Sequence, residues 1–93
     1  MYQFNLFIAG ETLKTQQLVS DLNLVFNACL SGLFTLEVID VMRYPEIARE
    51  NEIIATPTLL KKSPLPEKKI FGYPKSNKWL LQNLGLNNSE DNR

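Results

Sequence analysis

The chain contains no histidine. That absence removes the commonest general base at neutral pH, and with it the Ser-His and Cys-His nucleophile pairs. There is one cysteine, Cys29. An internal disulfide is excluded, and no Cys/His cluster exists to hold zinc. Neither sign of charge is in excess: ten Lys and Arg balance ten Asp and Glu, so the formal net charge is zero. No field draws nucleic acid or an anionic membrane, and neither is expected as a primary partner. Zero net charge also lowers the repulsion between copies, which favours a homo-oligomer, a dimer or a tetramer. The four glycines are scattered and form no phosphate-cradling loop. No apolar run approaches the ~20 residues needed to span a bilayer. The start, Met1-Tyr2-Gln3-Phe4, lacks the basic region and cleavage site of a signal peptide, so a cytoplasmic location is expected.

What is present suffices for one core. The 93 residues are 44% apolar, and a single domain over 1–86 is predicted, with 87–93 as a disordered tail because it carries no apolar residue. Tyr2, Phe4, Leu6 and Ile8 alternate with Gln3 and Asn5, while Phe7 interrupts the polar side. That pattern predicts a central strand, covered on one face and partly on the other. Leu18, Leu22, Val25, Phe26 and Cys29 form one stripe of a helix over Thr15–Leu30, capped by Thr12 or Thr15 and stopped at Ser31-Gly32. Cys29 lies on the stripe and reads as a small buried hydrophobe.

Phe34–Val41 is the second strand, parallel to the first because a helix crosses between them. Asp40 at its end reads as a cap of the following turn, or else as a ligand or acid. Pro45 opens a short helix that ends near Asn51-Glu52. Ala55-Thr56-Pro57-Thr58-Leu59 follows, and proline can open a strand but not sit inside one. Thr58–Lys62 and Lys68–Phe71 form a hairpin across a stiff turn containing Pro64 and Pro66. Ser76 caps a last helix over Asn77–Leu84, with Gly85 well placed to stop it and Trp79 read as core.

The order is βαβαββα, an α/β fold with a four-stranded mixed sheet on the thioredoxin plan. Pro57 stands where that plan keeps a cis proline; its plainer reading is a strand-opening trans proline. A thioredoxin-type enzyme would carry Cys-x-x-Cys between the first strand and the first helix, where the helix N-terminus activates the thiol. Here that position reads Gly10-Glu11-Thr12-Leu13-Lys14. The reactive group is missing, so a binding module is predicted rather than an enzyme, and no cofactor. A thioredoxin-like redox protein is the weaker alternative. Lys61, Lys62, Lys68 and Lys69 flank the proline turn as a local basic edge. They guard a strand edge or face an acidic partner surface.

The blocks Leu6-Phe7-Ile8-Ala9-Gly10, Leu36-Glu37-Val38-Ile39-Asp40-Val41, Pro45-Glu46-Ile47-Ala48, Ile54-Ala55-Thr56-Pro57-Thr58-Leu59 and Pro64–Gly72 resemble the circadian clock protein KaiB family in order and spacing. They resemble, less faithfully, the sensory domain of the clock histidine kinase SasA. The resemblance implies a non-enzymatic regulator that binds a KaiC-type hexameric ATPase, with KaiA and a SasA-like kinase as further partners. A role in circadian or stress-response signalling is implied. A stand-alone SasA-like module is the alternative, and it would bind without switching fold. The resemblance further implies two folds, a monomeric thioredoxin-like one that binds partners and a tetrameric one whose C-terminal half is rearranged, with Pro57 at the start of that half. Lys61, Lys68 and Lys69 align with basic positions of the family, which implies partner contact there. The match fails after Gly72. Where the family carries Gly-Leu-Asp, this chain has Asn83-Leu84-Gly85. Asparagine costs a helix a few tenths of a kcal/mol less than glycine, so the change is expected to favour the last helix and the thioredoxin-like state.

Overall fold

The computed structural model describes residues 1–86; the expected tail at 87–93 lies outside them. The alternation read at the N-terminus forms β1 (Tyr2–Ile8), which pairs in parallel with β2 (Phe34–Asp40) and antiparallel with β3 (Thr58–Ser63). β4 (Lys68–Phe71) lies antiparallel outside β3, so the sheet order is β2-β1-β3-β4. Phe7 is buried because β1 is an inner strand with cover on both faces.

One face of the sheet carries the main core. Phe4, Leu6, Ile8, Leu59 and Ile70 meet Leu18, Leu22, Val25 and Phe26 of α1 (Leu13–Leu30) and Leu80, Leu81 and Leu84 of α3 (Asn77–Leu84). Phe26 stacks on Phe4 with ring centroids 4.1 Å apart and takes the edge of Phe34 at 5.5 Å. Truncating so buried an aromatic costs about 3–5 kcal/mol. The opposite face is smaller. Phe7, Ile39 and Leu60 meet Ala48 of α2 (Pro45–Glu50), with Val41, Ile47 and Ile53 packed around them.

α1 begins at Leu13, two residues before the predicted start, because Thr12 and Thr15 cap it together. Thr12 Oγ1 accepts from the Thr15 N–H at 3.1 Å, and Thr15 Oγ1 accepts from the Thr12 N–H at 2.8 Å. Such a box satisfies two otherwise orphaned donors. Ser31 and Gly32 close the helix at positive φ. β3 runs one residue longer than predicted, to Ser63, which pairs with Gln3 beyond an irregularity in the register. The bonds preceding Pro57, Pro64 and Pro66 are all cis. The structure takes the thioredoxin-like arrangement of the two folds weighed from the sequence.

Candidate functional site

The end of the sheet where β1 and β2 finish and β3 begins gathers three loops. Asp40 ties two of them. Its Oδ1 accepts from the Met42 N–H at 2.9 Å, which caps the turn after β2, and from the Gly10 N–H at 3.0 Å, which pins the loop before α1. Gly10 has φ +78, and a Cβ there would meet Met42 Sδ at 3.9 Å. The conformation, more than the space, reserves this position for glycine. The third loop leads into β3. Thr58 Oγ1 donates to the Ala55 carbonyl at 2.6 Å, and the Pro57 carbonyl accepts from the Gly72 N–H at 2.8 Å, joining the entry of β3 to the exit of β4. Pro57 itself is buried.

These loops hold large apolar side chains in solvent. Leu13 is 85% exposed, Ile54 84% and Met42 74%, and Tyr44 is exposed beside Arg43. Val41, Pro45, Ala48, Arg49, Ile53, Ile54 and Thr56 line a shallow hollow next to them. Leu13 stands as the first residue of α1, within the Gly10–Lys14 stretch where a redox thioredoxin would carry its Cys-x-x-Cys. The chemistry available at this end is apolar contact and main-chain hydrogen bonding, which suits docking. Sequence reading placed none of these apolar residues in a site. Leu13 offered one signal: it lies five positions before Leu18, about 140° around the helix from the buried stripe.

The basic residues do not form one patch. β3 is an inner strand, so Lys61 is only 6% exposed, whereas the sequence reading placed it on an open edge. Its register partners are Phe4 on β1 and Lys68 on β4. Lys68 is exposed on the same side of the sheet. Lys69 alternates to the other side, half-buried, and its Nζ donates to the Glu52 carbonyl at 3.2 Å. The basic edge thus reduces to Lys68 and Lys69 of β4 and the exposed Lys62 near the end of β3.

Asn83 and Gly85 lie at the end of α3. Asn83 is exposed and its Nδ2 donates to the Trp79 carbonyl at 2.8 Å. Gly85 closes the helix at φ +75 with open space around it. Trp79 is half-buried under Lys75, whose Nζ stands 5.9 Å from the ring centroid, so it flanks the core instead of filling it. Cys29 is half-buried against the main core, far from the β1–α1 loop in sequence; burial pushes its thiol above the ordinary range, against a smaller opposing effect of a backbone hydrogen bond. A raised thiol is a poor nucleophile at neutral pH.

The family model of the KaiB domain matches residues 5–86, so the likeness runs on through α3 instead of failing after Gly72 as read from the sequence. The circadian clock oscillator protein KaiB of Acaryochloris marina is 39% identical over 71 residues, covering 76% of this chain and 68% of its own. That of Thermostichus vulcanus is 35% identical over 85 residues, covering 91% of this chain and 79% of its own. Among solved structures, the N-terminal domain of Synechococcus elongatus SasA superposes with a TM-score of 0.71 at 22% identity, covering 92% of this chain and 89% of its own. Mitochondrial thioredoxin 3 of Saccharomyces cerevisiae superposes with a TM-score of 0.68 at 21% identity, covering 90% and 76%. The last two likenesses establish the thioredoxin-like fold, and the first three establish descent: the chain belongs to the KaiB family, whose matched relatives are circadian clock oscillator proteins.

Proposed function

We propose that this chain is a non-enzymatic adaptor that binds a KaiC-type hexameric ATPase and modulates circadian or stress-response signalling. The observation that carries the reading is the family match over residues 5–86 on a fold whose usual reactive stretch, here Gly10–Lys14, has no thiol. The apolar end built from Leu13, Met42, Tyr44 and Ile54 supplies contact area, and clustered exposed apolar side chains mark interaction sites. Lys68 and Lys69 on β4 supply a second contact, to an acidic partner surface; Lys61 is too buried to take part without movement. A KaiA-like protein or a SasA-like kinase would join or compete at the same complex. A cytoplasmic location agrees with this role. Among the described residues no helix is long and apolar enough to cross a membrane.

The test is titration of the labelled full chain with a purified KaiC-type hexamer, read by fluorescence anisotropy. Saturable binding is expected, weakened at least tenfold by Ile54→Asp together with Leu13→Asp. Absence of saturable binding by the unaltered chain would end the reading.

A further inference from the structure

A second cavity opens between α1 and the connection from β4 to α3, with a volume of about 330 Å³. It shares no lining residue with the hollow beside Ile54. Leu18 and Leu22 of α1 and Leu80 of α3, all core side chains, form its floor. Tyr73 and the half-buried Pro74 stand beside that floor. Sites for small organic molecules are mostly apolar clefts of about 300–1,000 Å³ with a few placed polar groups. This cavity has that construction and lies at the bottom of the range, so its occupant is smaller than a nucleotide.

The rim is cationic. Lys14 of α1 sets its Nζ 4.4 Å from the centre of the Tyr73 ring, an attraction that holds a long side chain at the mouth. Lys75 lines the same mouth from the connection before α3. Asp21 is the carboxylate of the lining, and its Oδ1 already accepts from Gln17 Nε2 at 2.9 Å. Two ammonium groups face one engaged carboxylate, so the lining carries one positive charge in excess. That excess is local, because the charge of the whole chain sums to zero. An amine would meet like charge here, and a neutral molecule would leave the excess uncompensated. A single carboxylate matches it. The body of the ligand must suit the leucine floor and the tyrosine wall, and a flat ring packs against both.

We propose that this cavity binds a small aromatic monocarboxylate, with its ring on the leucine floor beside Tyr73 and its carboxylate between Lys14 and Lys75. Such a ligand touches α1 and the C-terminal segment at once. A molecule that binds only the assembled cavity stabilises the contacts that close it, so occupancy fastens α3 to α1.

The experiment is a proton–nitrogen NMR titration of the full chain with indole-3-acetate at neutral pH, the spectrum itself reporting that each variant is folded. Saturable shifts centred on Lys14, Leu18, Tyr73 and Leu80 are expected, with a Kd below about 1 mM. Lys14→Gln and Lys75→Gln should each raise the Kd at least about threefold. Gln17→Trp, at an exposed position on the rim, fills the mouth and should raise it at least about tenfold. Lys62→Gln, outside the cavity, should leave it unchanged. Indole-3-acetamide has the same shape without the charge and should bind at least about fivefold more weakly. At ten times the Kd, hydrogen exchange of the Leu80 amide should slow about tenfold. Absence of saturation, equal affinity for the amide, or affinity unchanged by Gln17→Trp would overturn the site. Saturation with exchange at Leu80 unaltered would overturn the fastening of α3. No ATPase enters these measurements, so the reading of function stands or falls separately.

Discussion

Asp40 shows how one carboxylate can tie together two loops at one end of the sheet. Its two acceptances, from Gly10 and Met42, hold the loops that carry Leu13 and Met42. Bonds to an ionised acceptor contribute about 1.5–3 kcal/mol each, and partial exposure places these at the low end. Asp40→Ala is expected to lower the unfolding free energy by about 1–3 kcal/mol in urea titration, and Asp40→Asn by less because one carbonyl acceptor remains. The capping half of this role was legible in the sequence, since aspartate after a strand commonly bonds the backbone two residues on. The bond to Gly10 spans thirty positions and exists only because β1 and β2 run parallel in register, with Ile8 beside Asp40. Cys29 makes a pH-dependent counterpart. Burial favours its neutral form, so the folded thiol titrates above the unfolded one. The stability that its neutral form contributes is complete below the unfolded thiol's range and is lost as pH rises through the folded value. Comparing thermal unfolding of the parent and Cys29→Ser from pH 7 to 10 should show the parent falling more steeply above about pH 8.5. Equal slopes would contradict the assigned burial effect.

At the scale of elements, patterns within one segment were readable and relations between segments were not. The stripe of α1, the cap at Ser76 and the stop at Gly85 all depend on neighbours in sequence, and the structure keeps them. Lys61 was misplaced because its burial depends on strand order: β3 sits between β1 and β4, and nothing local to Lys61 says so. Leu13 opens α1, and Met42 and Ile54 come from two separate loops, so their common end of the sheet emerges only from the topology. α3 invites a direct test of the family departure at its end. Gly85 holds a left-handed conformation with nothing near its absent Cβ, so Gly85→Asp adds only conformational cost, about 1 kcal/mol. Asn83→Gly adds a few tenths and removes the bond to the Trp79 carbonyl. The double variant should destabilise α3 by about 1–2 kcal/mol, seen as faster amide exchange at Leu80, Leu81 and Leu84. Exchange unchanged at all three would show that these positions do not set the stability of the helix.

For the whole molecule the question is which arrangement meets the partner. Family resemblance brings a second fold into consideration, and two folds of one sequence differ by only a few kcal/mol. A change of 1.4 kcal/mol moves such a balance tenfold. The cost assigned to Gly85→Asp with Asn83→Gly is of that size and falls on α3, whose Leu80, Leu81 and Leu84 belong to the main core of the thioredoxin-like state. We predict that the parent chain, resting in that state, associates with a KaiC-type hexamer at a rate that rises linearly with hexamer concentration. The double variant should add a slow phase whose rate levels off, because a rearrangement then precedes docking. Stopped-flow fluorescence over a range of hexamer concentrations reads both. A SasA-like module with a single fold would lose stability in the double variant yet show no plateau, since no second arrangement exists to be populated. A plateau already present in the parent would place its resting population in the other fold, and Asn83 and Gly85 would then not be the residues that tilt the balance.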